Sequence, residues 1–236
     1  MWQALRNELH PKGLEIVTVA LDVDPEAARA WIDQTKPNHP SLIDSAHRID
    51  ELLGVVNVPN GVWIDENGMI VRPVEPAWPE RDTPPDWQTM ADSPDVPEQL
   101  RETLKLASNI RIQPKEYMAA LRDWVAKGKA SKYALAPEEV IARSGPRGKA
   151  EAEAAARFEL GQYLWSIGRQ DLAPKHWREA HRLQPDNWTY KRQAWTLADP
   201  FQGPTELYDS CWVNDVRKIG AENYYPPLDL SAARAK

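Results

Sequence analysis

The sequence predicts an α/β fold over its first third and a mostly α-helical domain after it. Three observations predict this. Residues 1–75 alternate helical and strand-like apolar patterns and end in a hairpin signal. Residues 73–97 then carry seven prolines, which interrupts regular structure. Beyond residue 97 the apolar residues recur at helical spacing. With 236 residues, 42% of them apolar and 27% charged, the chain is long enough for two domains and can bury a sizeable core.

The elements follow in order. Trp2, Leu5 and Leu9 share one helical face, and Pro11-Lys12-Gly13 ends that helix. Residues 14–21, LEIVTVAL, are apolar and β-branched and read as a buried strand. Asp24-Pro25-Glu26 supplies an N-cap, a proline at the first helical position and an early acid. That helix reaches about Gln34, with Ala28 and either Trp31 or Ile32 facing inward. Residues 41–43 form a short extended piece, and Asp44 or Ser45 caps a helix that Gly54 ends. Val58-Pro59-Asn60 is a turn, and strands at 61–64 and 69–72 flank Asp65-Glu66-Asn67-Gly68, whose Asn-Gly favours a hairpin.

The segments EIVTVALD (15–22), HPSLID (39–44), the helix to Leu53 and VPNGVWIDENGMIVRP (58–73) together resemble the thioredoxin-like superfamily, in particular the TlpA/ResA-like redoxins. The resemblance covers about residues 1–75. It implies a partial thioredoxin-like sheet with flanking helices, and a cis-proline at Pro59. Asn60 stands where the family usually has Thr. By resemblance Val58, Pro59 and Asn60 form the loop along which a substrate peptide pairs. The implied activity is thiol–disulfide oxidoreduction, in which a thiolate attacks a disulfide.

That chemistry needs a Cys-x-x-Cys, or one peroxidatic Cys, at a helix N-terminus, where the macrodipole lowers the thiol pKa. The matching helix is that of Trp2 to Leu9, so the dithiol and the family's central strand are expected before Met1. Cys211 is the single cysteine and lies far from the redoxin-like part, as an inert thiol. The chain as given holds no catalytic cysteine pair and is expected to be inactive in dithiol exchange. An in-frame Trp-Cys-x-x-Cys upstream would support an oxidoreductase, and a Thr-x-x-Cys after a proline a peroxidase. An in-frame stop would favour a non-enzymatic interaction protein. A sheet without its middle strand would carry two open inner edges.

Residues 76–96 read as a proline-rich acidic connector. From Glu75 to Glu102 there are eight acids against Arg81 and Arg101. Proline density argues against any helix here, while Trp78 and Trp87 suggest docking on the folded body. Helical periodicity returns at about 97–107 and again at 114–127, where Pro114 opens and Gly128 closes a helix with Tyr117, Leu121 and Trp124 on one face. Residues 111–149 carry nine Lys or Arg against four acids, a basic stretch that could face the acidic one.

Within 97–236, at about 154–187, Leu160, Gly161, Leu164, Gly168, Ala173, Trp177, Ala180, Leu183 and Pro185 fall at the spacings of a tetratricopeptide repeat. The resemblance implies a hairpin of two helices. Gly161, Ala173 and Ala180 allow close approach, Trp177 fills the groove, Gly168 turns the chain and Pro185 stops the second helix. Such a hairpin serves either as a peptide-binding groove or as a packing module. Asp186 caps a further helix from Asn187 to about Leu197.

His176 and His181 are five apart and do not share a helix face, and the other histidines are scattered, so no metal site is expected. No cofactor is implied. The tail Tyr224-Tyr225-Pro226-Pro227-Leu228 is expected to lie extended on the surface, with 231–236 fraying. A net charge of −6 argues against nucleic acid as a partner. The lack of a long apolar run argues against a membrane span, and the single cysteine is compatible with the cytoplasm. A protein or peptide partner is the remaining class.

Overall fold

Two short ladders, each of two strands, sit among eleven α-helices in the computed structural model, which describes residues 1–80, 86–199 and 203–231. Helix α1, Trp2–Leu9, buries Leu5 and Leu9, and a 3-10 turn over His10–Lys12 leads to Gly13 with a left-handed φ of 98°. Strand β1, Thr18–Ala20, is shorter than the run 14–21. Among the described residues its only ladder partner is β2, Ser41–Ile43, which pairs with it in parallel from Thr18 opposite Ser41 to Ala20 opposite Ile43. Among the described residues no strand pairs with the rest of the run 14–21.

Helix α2, Pro25–Thr35, starts as its cap predicts, with the Asp24 carboxylate accepting from the Glu26 N–H at 3.0 Å. Ala28 is buried; Ile32 is half-buried, whereas Trp31 remains 69% exposed. Helix α3, Arg48–Leu53, begins later than Asp44 or Ser45, because His47 adopts a left-handed φ of 54°. Asp44 still accepts from the Ile49 N–H at 2.6 Å. Gly54 closes α3 with a φ of 77°.

Strands β3, Asn60–Ile64, and β4, Ile70–Pro76, form the antiparallel hairpin. Its turn is held by Asp65, which accepts from the N–H groups of Asn67 and Met69. β4 continues through Pro73 to Pro76, beyond the expected end at Arg72. A proline is tolerated there because β4 has a strand neighbour, among the described residues, on one side only. Among the described residues the two ladders do not pair with each other.

The connector contains a helix after all. Residues 86–93 are free of proline, and α4, Trp87–Asp92, forms there under an Asp86 cap that accepts from the Thr89 N–H at 2.9 Å. The prolines at 84 and 85 lie outside the described residues. Helices α5, Glu98–Ser108, and α6, Pro114–Lys127, follow the expected periodicity. Then come α7, Pro137–Ser144, α8, Lys149–Ser166, α9, Ala173–Leu183, α10, Trp188–Ala198, and α11, Trp212–Ile219. The cap of α10 is Asn187 rather than Asp186, its side chain accepting from the Tyr190 N–H at 3.1 Å.

Two cores result. One joins Leu5 and Leu9 of α1, Trp63 and Val71 of the hairpin, and Tyr117, Met118 and Leu121 of α6. So α6, from the helical part of the chain, packs on the hairpin. The other is aromatic and joins Phe158, Trp177, Trp188, Trp195, Tyr208 and Tyr224. Tyr224 and Tyr225 are 2% and 7% exposed, which corrects the expected surface tail. Burying aromatic rings of this size is worth more than solvating them. Of the residues expected to fray, 232–236 lie outside the described set.

Candidate functional site

The loop before β3 is the site that the sequence singles out. The Val58–Pro59 peptide is cis. Both backbone groups of Val58 already have partners: its N–H donates to Asn57 Oδ1 at 2.9 Å, and its carbonyl accepts from the Tyr225 hydroxyl at 2.6 Å. Burial pushes the Tyr225 phenol up, so it stays protonated and keeps donating. Asn57 Nδ2 donates in turn to the Tyr224 carbonyl at 3.0 Å. One residue earlier, the Val56 carbonyl accepts from the Trp188 N–H at 2.6 Å at the start of α10. The loop is thus tied down by α10 and by the segment 224–225.

Beyond the loop, Gly61 lies so close to Ala77 and Tyr117 that an added Cβ would come within 2.9 Å of each. Tyr117 accepts from Trp63 Nε1 at 3.1 Å, and burial raises its pKa to about 12. Trp124 stacks on Trp63 with centroids 5.1 Å apart. These contacts fix the hairpin against α6 and hold the loop end rigid.

Helices α8 and α9 pack as a hairpin. A Cβ on Gly161 would meet the Trp177 ring at 2.5 Å, so only glycine fits beneath it. Ala173, Trp177 and Ala180 are fully buried. Gly168 turns the chain with a φ of 81°. Pro185 follows the last turn of α9 and is exposed. Leu160 departs from the expected packing role, since it is 40% exposed. It lies on the outer side of α8, one residue before the glycine that faces Trp177.

The remaining chemistry-bearing groups are built in. Cys211 is a buried free thiol at the N-cap of α11. His181 Nδ1 is 2.6 Å from the Tyr208 hydroxyl, and burial pushes the histidine pKa down to about 3. Among the described residues no group of three or more His, Cys, Asp or Glu is placed to hold a metal ion. No described helix is long and apolar enough to cross a membrane. The basic stretch meets the acidic one at Arg122, which lies 3.7 Å from Glu80.

What the sequence did not point to is Tyr225 on the cis-proline loop. The two are 167 residues apart, and no local pattern links them. Compared with family models, with curated proteins and with solved structures, the chain matches none.

Proposed function

We propose that this chain is a thioredoxin-like protein with one tetratricopeptide-like helical hairpin, and that it acts by binding a protein or peptide rather than by dithiol exchange. The observation that carries this reading is the Val58 carbonyl. By resemblance it belongs to the edge where a redoxin's substrate would pair, and here the Tyr225 hydroxyl takes it at 2.6 Å. The single cysteine supports the same reading, being buried in the aromatic half of the molecule. Thiol–disulfide exchange needs an accessible thiolate.

The test is insulin reduction by dithiothreitol, with the chain and its Cys211→Ser variant compared at equal concentration. Both are expected to leave the rate at the reagent background. Acceleration by the chain that disappears in Cys211→Ser overturns the reading.

A second reading keeps the family's oxidoreductase activity. It is favoured by the separation of the two ladders, since the resembling family has a central strand between their counterparts. An in-frame dithiol encoded just upstream of Met1 would move the assignment to it. Insulin turnover by the protein carrying that dithiol would then be expected.

A further inference from the structure

Helix α8 is apolar on two opposite sides. One side, with Ala154, Phe158 and Gly161, is buried against α9 and the aromatic core. The other carries Ala156, Leu160, Tyr163 and the C-cap residue Ile167, and all four are exposed, Leu160 by 40%, Tyr163 by 59% and Ile167 by 52%. Steps of four, three and four residues keep them in one line along the helix, because 3.6 residues make a turn. A surface helix ordinarily turns polar residues outward on the side opposite its core face. Single exposed apolar residues are common, whereas a contiguous line of them marks an interaction surface.

We infer that this line is the interface of a homodimer, in which α8 packs antiparallel on α8 of a second copy. The line is self-complementary. A two-fold axis midway between Leu160 and Tyr163 sets Leu160 of one copy opposite Tyr163 of the other, and the small Ala156 opposite the larger Ile167. Steps of four and three residues are also the spacing at which the side chains of two helices interlock. The charges at the two ends choose the direction. Lys149 and Glu153 lie in the opening turns of α8, and Arg169 and Asp171 follow its end. Antiparallel packing brings Glu153 of each copy level with Arg169 of the other, and Lys149 towards Asp171. Parallel packing would set each of these charges against its own like. Within one chain Glu153 pairs with Arg157 at 3.2 Å and Arg169 with Asp171 at 3.3 Å, and both pairs are solvent-exposed, so little is lost when they rearrange. This face lies outside the redoxin-like part of the chain, so the dimer does not depend on the function proposed above.

Sedimentation equilibrium of the full chain over a range of concentrations tests this. Wild type is expected to pass from monomer to dimer as the concentration rises. Leu160→Glu and Ala156→Glu each put a carboxylate into the apolar line and are expected to weaken the dimer at least tenfold. Both positions face solvent in the single chain, so the far-UV circular dichroism of these variants is expected to match that of wild type. Glu153→Arg and Arg169→Glu are each expected to weaken the dimer at least threefold, and the double reversal to bring it back towards wild type. A wild type that stays monomeric at every concentration overturns the dimer and leaves the face to a different kind of partner. A dimer indifferent to Leu160→Glu and Ala156→Glu overturns the interface. A double reversal no tighter than the single ones overturns the antiparallel direction.

Discussion

Two buried polar clusters, one at Arg72 and one at His47, are made of similar material and end differently. Arg72 is 1% exposed, and all three of its guanidinium nitrogens donate. Two bonds go to Glu75 at 2.5 and 2.9 Å, and the others to the carbonyls of Tyr133 and Asp229. At His47 the Asp50 carboxylate is well used, but the far ring nitrogen and the whole Gln162 amide are not. A saturated cluster joins distant segments and has nothing left to offer. An unsaturated one carries the cost of its unpaired buried atoms.

The largest effect is expected on breaking the saturated side. Arg72→Met leaves Glu75 buried without its partner, and loss of one member of such a pair costs about 3–5 kcal/mol. A urea titration measures it, and a loss below 1 kcal/mol would mean that the cluster is not structural. Asp50→Asn comes next. It weakens bonds from His47, Thr189 and the Glu51 N–H and is expected to cost about 1–3 kcal/mol, read from the urea midpoint.

His181 is largely buried, and desolvation pushes its folded pKa down to about 3. The unfolded chain takes up that proton near the ordinary histidine value of about 6.5, whereas the folded chain does not until about 3. This stability is therefore complete above about pH 6.5 and is lost as pH falls. Between pH 7 and pH 5 the loss is on the order of 1–2 kcal/mol. It should shrink in His181→Gln; equal pH dependence of the two proteins would rule out His181 as the source. The smallest effect is expected from Tyr225→Phe, which removes one bond to the Val58 carbonyl and costs about 1 kcal/mol. Hydrogen exchange at residues 57–61 should accelerate in that variant; unchanged exchange would show that Tyr225 does not hold the loop.

How much of this was legible in the sequence depended on the range of the interaction. Helix α6 was readable from end to end because Pro114 and Gly128 mark its limits locally. The hairpin was readable from Asn67-Gly68. Gly161 and Trp177 were readable as a spacing, and the structure puts one beneath the other. The short helices α7 and α11 are not legible in the sequence even though α7 opens on Pro137 and is followed by Gly145, as α6 is by Pro114 and Gly128, because eight residues carry too few apolar positions to show a helical period. β1 is shorter than its apolar run because residue pattern does not carry how far a partner strand extends. The His47 cluster was illegible for a different reason. His47 and Gln162 are ordinary polar residues in sequence, and only packing reveals that their atoms lack partners.

Helix α10 also sets a schedule. Its Trp188 N–H donates to the Val56 carbonyl, and Gln193 accepts from the Val23 N–H and donates to the Leu21 carbonyl, just beyond the end of β1. During synthesis the two ladders are complete once residue 76 emerges, yet the helix that ties down the segments after β1 and before β3 comes more than a hundred residues later. At about 5–20 residues per second the nascent chain therefore carries these segments untied beside the ladders for roughly ten seconds. That interval is when this protein most needs protection from pairing with the wrong strand.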